Sequence, residues 1–150
     1  LLLLMLKETK VCLMSKYNLV CITPLDHIPS VIELLKELCN LTYLPNIEYN
    51  DLSSLLREKK HNAIFTNPNK QNFKIDKRLL SESDVKIINT ASTGLNHINL
   101  DDCKDLGVKV LSLTTDYDLI RKLPSTSELA FGLALSMMRN IPQSFDDVKA

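Results

Sequence analysis

The sequence predicts an α/β fold: an open parallel sheet of about five strands with helices on both faces. Two observations carry this. Short apolar runs bounded by turn residues alternate with amphipathic stretches of helical period. The alternation continues from Tyr17 to Leu113 without repeats, low-complexity segments or Gly/Ser linkers. Strands separated by helices give parallel βαβ units with right-handed crossovers.

Tyr17 to Thr23 (YNLVCIT) reads as the first strand, closed by Pro24. Ser30 is expected to cap a helix whose apolar residues Val31, Ile32, Leu34, Leu35 and Leu38 recur at helical spacing. Leu41 to Leu44 forms the second strand. Asn50 or Asp51 then caps a helix running through Leu52, Leu55 and Leu56 to Lys60, its cationic end where the helix dipole favours it. Ala63 to Thr66 is the third strand, stopped by Asn67-Pro68-Asn69, and Asp76 to Ser81 is a short helix. Val85 to Ala91 is the fourth strand and the clearest of the set. Leu100 to Leu106 is a helix ended by Gly107, and Val108 to Leu113 is the fifth strand.

The last segment differs. Ser125-Thr126-Ser127-Glu128 fits an S-x-x-E capping box, and the helix from Glu128 to Arg139 is apolar on nearly every side before Pro142 stops it. Such a helix is expected to be buried all round, which the small unit before it does not achieve alone.

Composition narrows the function. Eighteen basic and eighteen acidic residues cancel, giving no electrostatic argument for nucleic acid or an anionic membrane. The apolar run Leu1 to Leu6 is far shorter than the ~20 residues of a bilayer span, and charge follows it where a signal peptide has charge first. Residues 1–13 read as a leader that is non-native or disordered, with Met14 as a natural start. Cys12, Cys21, Cys39 and Cys103 are scattered without metal-ligand spacing, so thiols in a reducing cytoplasm are expected, with no metal site.

In an open parallel sheet, ligands bind at the carboxyl ends of the strands. Three polar loops qualify: Thr66 to Lys70, Ser92 to His97, and Thr114 to Asp118. In the second, Gly94 is free to take a positive φ and leaves space beside it, so the backbone N–H groups could form a nest for a carboxylate or other small anion. Asn96 could brace the loop. On spacing alone the stretch serves equally as a plain strand-to-helix turn. His97, with no carboxylate partner in view, reads as a surface or turn residue rather than a general base. Asn67 to Lys70 could present amides and an ammonium, or be a Pro turn with a solvated Lys.

The stretch VKIINTASTGLNHINLDDCKDLGVKVLSL, Val85 to Leu113, resembles the D-isomer-specific 2-hydroxyacid dehydrogenases. Members run a strand into A-G-x-G-x-D-N-I-D, then G-[IV]-x-V, then a helix opening A-E. The counterparts here are Ala91 to Asn99, Gly107 to Val110, and Ser127-Glu128, and Leu133 to Pro142 (LALSMMRNIP) is similar to the family's R-x-I-P helix end. The resemblance implies a flavodoxin-like substrate-side domain over residues 14–123. It also implies an interdomain crossover helix in residues 124–150 that leads into an NAD-binding Rossmann domain beyond this chain. Ser92, Thr93 and Gly94 would hold the substrate carboxylate, Thr93 would also lie against the nicotinamide, and Asn67 would face the substrate. NAD, or NADP, would be bound mainly by the further domain. Two copies would pair through the Glu128 to Arg139 helix.

There are departures. Ser92 stands where the family has Gly, Asn96 and Asn99 replace acidic residues, and Ser112-Leu113 replace Asn-Thr or Asn-Ala. The stretch from Ser112 to Glu128 is longer than usual. The family's G-x-G-x-x-G and its catalytic Arg, Glu and His have no counterpart here, since Gly94, Gly107 and Gly132 form no phosphate loop. The expectation is therefore an oxidoreductase acting on a D-2-hydroxy acid with NAD, of which this chain alone is inactive. The competing reading is a stand-alone flavodoxin-like module that binds a small anion. A receiver-like signalling domain lacks the carboxylate cluster its first strand would need at Thr23-Pro24.

Overall fold

A computed structural model describes residues 17–68, 72–115, 117–122 and 124–149. The leader, Asn69, Lys70 and Asp116 lie outside the described residues. Two compact units divide at the boundary between Thr115 and Asp116, and each is treated by itself.

The first unit holds β1 (Asn18–Cys21), β2 (Asn40–Tyr43), β3 (Ala63–Thr66), β4 (Ile87–Thr90) and β5 (Lys109–Leu111). All neighbours run parallel, in the order β2-β1-β3-β4-β5. This is the flavodoxin-like order, in which the direction of winding reverses between β1 and β3. The register sets Cys21 against Phe65 and Thr66 against Thr90.

The period of two along each strand divides the core. Val20, Ile22, Ile64 and Ile88 point to one face, where they meet Leu52, Leu56, Leu79, Leu80, Cys103 and Val108. Leu19, Cys21, Ala63 and Phe65 point to the other, against Leu25, Leu35 and Cys39. Helix α1 (Pro29–Leu38) therefore covers one face, and α2 (Tyr49–Arg57), α3 (Lys77–Leu80) and α4 (Leu100–Asp105) cover the other. Strand β3 is buried at every position because both its faces are covered and both its edges are paired. Leu52 and Leu56 are completely enclosed, and each such side chain contributes about 1.5–3 kcal/mol through burial.

The helix starts depart from expectation. Pro29 takes the first helical position of α1, which places Ser30 inside the first turn instead of at the cap. Pro suits that position because its φ is already helical and the N–H it lacks would have no helical partner. Helix α2 begins at Tyr49 behind Glu48, so Asn50 and Asp51 also lie inside the first turn. It ends at Arg57, before Lys60, because Lys59 turns into the left-handed region at φ 55°. Asp76 does cap α3: its Oδ1 accepts from the Leu79 N–H at 3.1 Å and from the Tyr49 hydroxyl at 3.0 Å, linking α2 to α3. Gly107, at φ 68°, ends α4 as expected. The fifth strand stops at Leu111, and Leu113–Thr115 form a 3-10 turn.

The second unit holds α5 (Tyr117–Ile120), α6 (Ser125–Met138) and α7 (Ile141–Lys149). Helix α6 starts at Ser125, so that residue cannot be the cap of the expected box; the Glu128 N–H donates to the Pro124 carbonyl at 2.9 Å. The helix is broken by Asn140 at φ 51°, and Pro142 belongs to the first turn of α7 rather than stopping α6. Helix α6 buries no residue: Phe131 is 72% exposed, Met137 78% and Met138 79%. No helix of the described residues is long and apolar enough to cross a membrane.

Candidate functional site

The site is built at the carboxyl ends of β3, β4 and β5. Beyond the Thr66–Thr90 pair, the Ala91 N–H donates to the Thr66 carbonyl at 3.1 Å, which holds the chains leaving β3 and β4 side by side. The Leu113 N–H donates to the Ser92 carbonyl at 3.1 Å, fixing the exit of β5 to the same loop. The second expected loop is thus tied at Ser92 to Leu113, the residue just before the third. Asn67, half-buried, follows Thr66 on the side that borders β1, where the winding reverses. The remainder of that loop, with Lys70, lies outside the described residues.

Residues 92–94 run over this base. The Ser92 hydroxyl donates to the Gly94 carbonyl at 2.7 Å, spanning Thr93. Ser92 Oγ lies 2.9 Å from Thr90 Oγ1, and Thr90 Oγ1 lies 2.9 Å from His97 Nε2. The far end of the loop is pinned to the chain before α3: the Ile75 N–H donates to the His97 carbonyl at 2.9 Å, and the Asn99 N–H to the Ile75 carbonyl at 2.8 Å. Among the described residues, the N–H groups of Ser92, Thr93 and Gly94 have no protein acceptor. Thr93 and Gly94 are exposed and Ser92 is half-buried, so the loop itself stands at the surface.

Two expectations about this loop change. Gly94 does not use a positive φ; its contribution is space, since a Cβ built there meets nothing within 4 Å. The brace comes from Ser92 where Asn96 was expected to supply it. His97 lies in a turn, as one of its two expected placements had it, but not at the surface. It is 8% exposed, and burial lowers its proton affinity from the ordinary histidine value, favouring the neutral ring. Its Nδ1 is buried without a partner.

The sequence reading missed Thr90 and Thr66 as supports of the loop. The available signal was polarity at inward strand positions: Thr66 follows Ile64, and Thr90 follows Ile88, each two residues on along a strand and therefore on the core face. A buried hydroxyl needs a partner, and for Thr90 that partner is His97.

No group of three or more His, Cys, Asp or Glu side chains gathers to hold a metal among the described residues. Cys21 and Cys103 are buried thiols; burial pushes Cys21 up to about 11 and raises Cys103, making both poor nucleophiles.

Comparisons with known proteins agree with this architecture. Residues 19–118 match the model of the D-isomer specific 2-hydroxyacid dehydrogenase catalytic domain. The human glyoxylate reductase/hydroxypyruvate reductase is 35% identical over 77 residues, half of this chain but 22% of that protein. The chain therefore spans about a fifth of the length of the curated relatives it matches. Among solved structures, D-lactate dehydrogenase from Aquifex aeolicus, complexed with NAD and lactic acid, is 27% identical with a TM-score of 0.61, covering 87% of this chain and 36% of that one. The pyruvate reductase of Chlamydomonas reinhardtii shares the fold at a TM-score of 0.64 and 15% identity, over 90% of this chain and 38% of its own. With residues 19–118, two thirds of its length, matched by the family model, the chain belongs to the D-isomer specific 2-hydroxyacid dehydrogenases.

Proposed function

We propose that this chain forms the substrate-side part of an NAD-dependent oxidoreductase acting on the CH–OH group of a D-2-hydroxy acid, and that residues 92–94 bind the substrate's carboxylate. The observation that carries this reading is the row of three backbone N–H groups on Ser92, Thr93 and Gly94. They have no protein acceptor among the described residues and stand at the carboxyl ends of a parallel sheet. Consecutive backbone N–H groups without a protein acceptor suit a small anion. Thr93, the exposed crest of the loop, would also lie against the nicotinamide, and Asn67 would face the substrate from the neighbouring strand end.

The residues here would meet only one end of the cofactor. Gly94 and Gly107 fall in two separate connections and Gly132 inside α6, so they make no phosphate loop, and NAD, or NADP, would be held mainly by a Rossmann domain following α6. A relative solved with NAD and lactic acid, of which this chain matches 36%, supports that division. NAD, when bound, carries the hydride; the residues of this chain bind and orient the acid and form one wall of a cleft that excludes water. Helix α6 would cross between the domains, and Glu128 to Arg139 would pair with a second copy in a cytoplasmic homodimer. The 150-residue chain by itself would have no turnover and no tight hold on NAD.

The test is to express the open reading frame extended past Ala150 and follow NADH absorbance with glyoxylate, hydroxypyruvate and pyruvate. Oxidation of NADH with at least one 2-oxo acid is expected from the longer protein and none from residues 1–150. An extended protein inactive with all three, or turnover by the short chain, contradicts the reading.

A further inference from the structure

The contacts below residues 92–94 have only one consistent set of hydrogen-bond directions. The Gly94 carbonyl can only accept, so the Ser92 hydroxyl spends its single proton there, at 2.7 Å. The 2.9 Å contact between Ser92 and Thr90 must then use the Thr90 proton, with Ser92 Oγ accepting. Thr90 has no further proton for the ring, so the 2.9 Å contact to His97 needs a proton on Nε2. Any other arrangement leaves two lone pairs facing each other at hydrogen-bond distance. Three contacts thus need three protons, supplied in order by His97, Thr90 and Ser92.

We propose that His97 is a positioning residue for the carboxylate site: its Nε2–H starts a one-way relay through Thr90 and Ser92 to the Gly94 carbonyl that fixes the peptide groups of residues 92–94. The role rests on the reading of these residues as the carboxylate site, whereas the hydrogen-bond directions do not. Several observations agree. The ring is buried and its Nδ1 has no partner, as fits a bare nitrogen better than a second N–H, because an N–H left unbonded inside the protein is costly. Burial also favours the neutral ring. The His97 carbonyl and the Asn99 N–H, on either side of Ile98, are tied to the buried Ile75, so the start of the relay is held by the core. One consequence concerns Ser92. Its hydroxyl proton is committed to the Gly94 carbonyl, so the anion is met by main-chain N–H groups and not by a donated serine proton. A loop held in advance spends less of its binding free energy on ordering.

The measurement is long-range ¹H–¹⁵N NMR of the histidine rings in the 150-residue chain at neutral pH. A neutral His97 ring with its proton on Nε2 is expected, and a proton on Nδ1 overturns the relay. This reading needs no variant to fold. Thr90→Ser retains the bridging hydroxyl and should keep the tautomer. Thr90→Val removes it and should leave a mixture of tautomers, shift the Thr93 and Gly94 amide resonances, and weaken glyoxylate binding by about tenfold, or roughly 1.4 kcal/mol. Unchanged Thr93 and Gly94 amides in a folded Thr90→Val chain would also overturn the relay. A glyoxylate titration of the unaltered chain separates the two readings. If the tautomer is found but the amides of 92–94 ignore glyoxylate, the carboxylate assignment fails and His97's role fails with it. A proton on Nδ1 together with responsive amides would remove the relay and leave the carboxylate assignment standing.

Discussion

The Ala91 N–H donates to the Thr66 carbonyl at 3.1 Å, one step past the last paired residues of β3 and β4. That bond continues the ladder just beyond the two strands, so the loop 92–94 rises from a rigid base rather than from a free connection. The Leu113 N–H on the Ser92 carbonyl closes the base on the other side. Sites held on strand ends by second-layer contacts keep their geometry better than sites on loose loops.

Gly94→Ala separates binding from folding. The added Cβ would meet nothing within 4 Å, and the backbone there is not left-handed, so the fold has no reason to resist it. Unfolding free energy should change by no more than about 1 kcal/mol. The methyl group nevertheless takes up open space beside the Gly94 N–H that the proposed anion would occupy, and glyoxylate affinity should fall by about tenfold or more. Urea unfolding and an amide titration check the two halves; a variant that binds glyoxylate normally contradicts the proposed site.

Gly107→Ala should do the reverse. Gly107 sits at φ 68° where α4 ends, and a side chain in that conformation costs roughly 1–2 kcal/mol. Denaturant unfolding should show that loss, with glyoxylate binding unchanged because Gly107 lies in the connection from α4 to β5, away from the strand ends that carry residues 92–94.

Acidification should destabilise the fold. His61 and His97 are both buried, and burial lowers the proton affinity of each. Below the ordinary histidine value of 6.5 the unfolded chain takes up protons that the folded chain resists. The unfolded state then binds more protons, so stability rises with pH; it is fully present above 6.5 and is lost as pH falls through the folded values. The slope is at most about 1.4 kcal/mol per pH unit for each proton. Urea unfolding at pH 7.5 and 5.5 measures it, and His61→Gln should make it shallower. Equal stability at the two pH values would contradict the burial of these rings.

Helix α6 should drive self-association of the 150-residue chain. Leu129, Phe131, Leu133, Leu135, Met137 and Met138 are each more than half exposed, and an apolar surface of that extent marks an interface. Light scattering should report a dimer or larger species. The double substitution Leu133→Glu and Met137→Glu should return it to a monomer, and a monomeric unaltered chain would contradict the pairing.

Much of this was legible in the sequence, for physical reasons that differ by element. The strands could be read because parallel strands covered on both faces are continuous apolar runs, as Ala63 to Thr66 shows. Helix starts were the poorest reading. A Ser or Asn near an apolar run looks like a cap wherever it falls, yet Pro29 claims the first position of α1 and leaves Ser30 inside. The breaks at Lys59 and Asn140 were invisible because neither is glycine and both adopt positive φ. The loop at residues 92–94 was found from its motif and its place after β4. Its supports were not, because the Thr90–His97 contact joins residues seven apart and depends on the loop folding back under itself.

The most direct test of the central claim is an amide ¹H–¹⁵N NMR titration of this chain with glyoxylate, run beside glycolaldehyde, which has two carbons and no carboxylate. Saturable shifts concentrated on Ser92, Thr93 and Gly94 are expected with glyoxylate and none there with glycolaldehyde. Equal responses to both, or glyoxylate shifts scattered over the surface without saturation at residues 92–94, would contradict that claim.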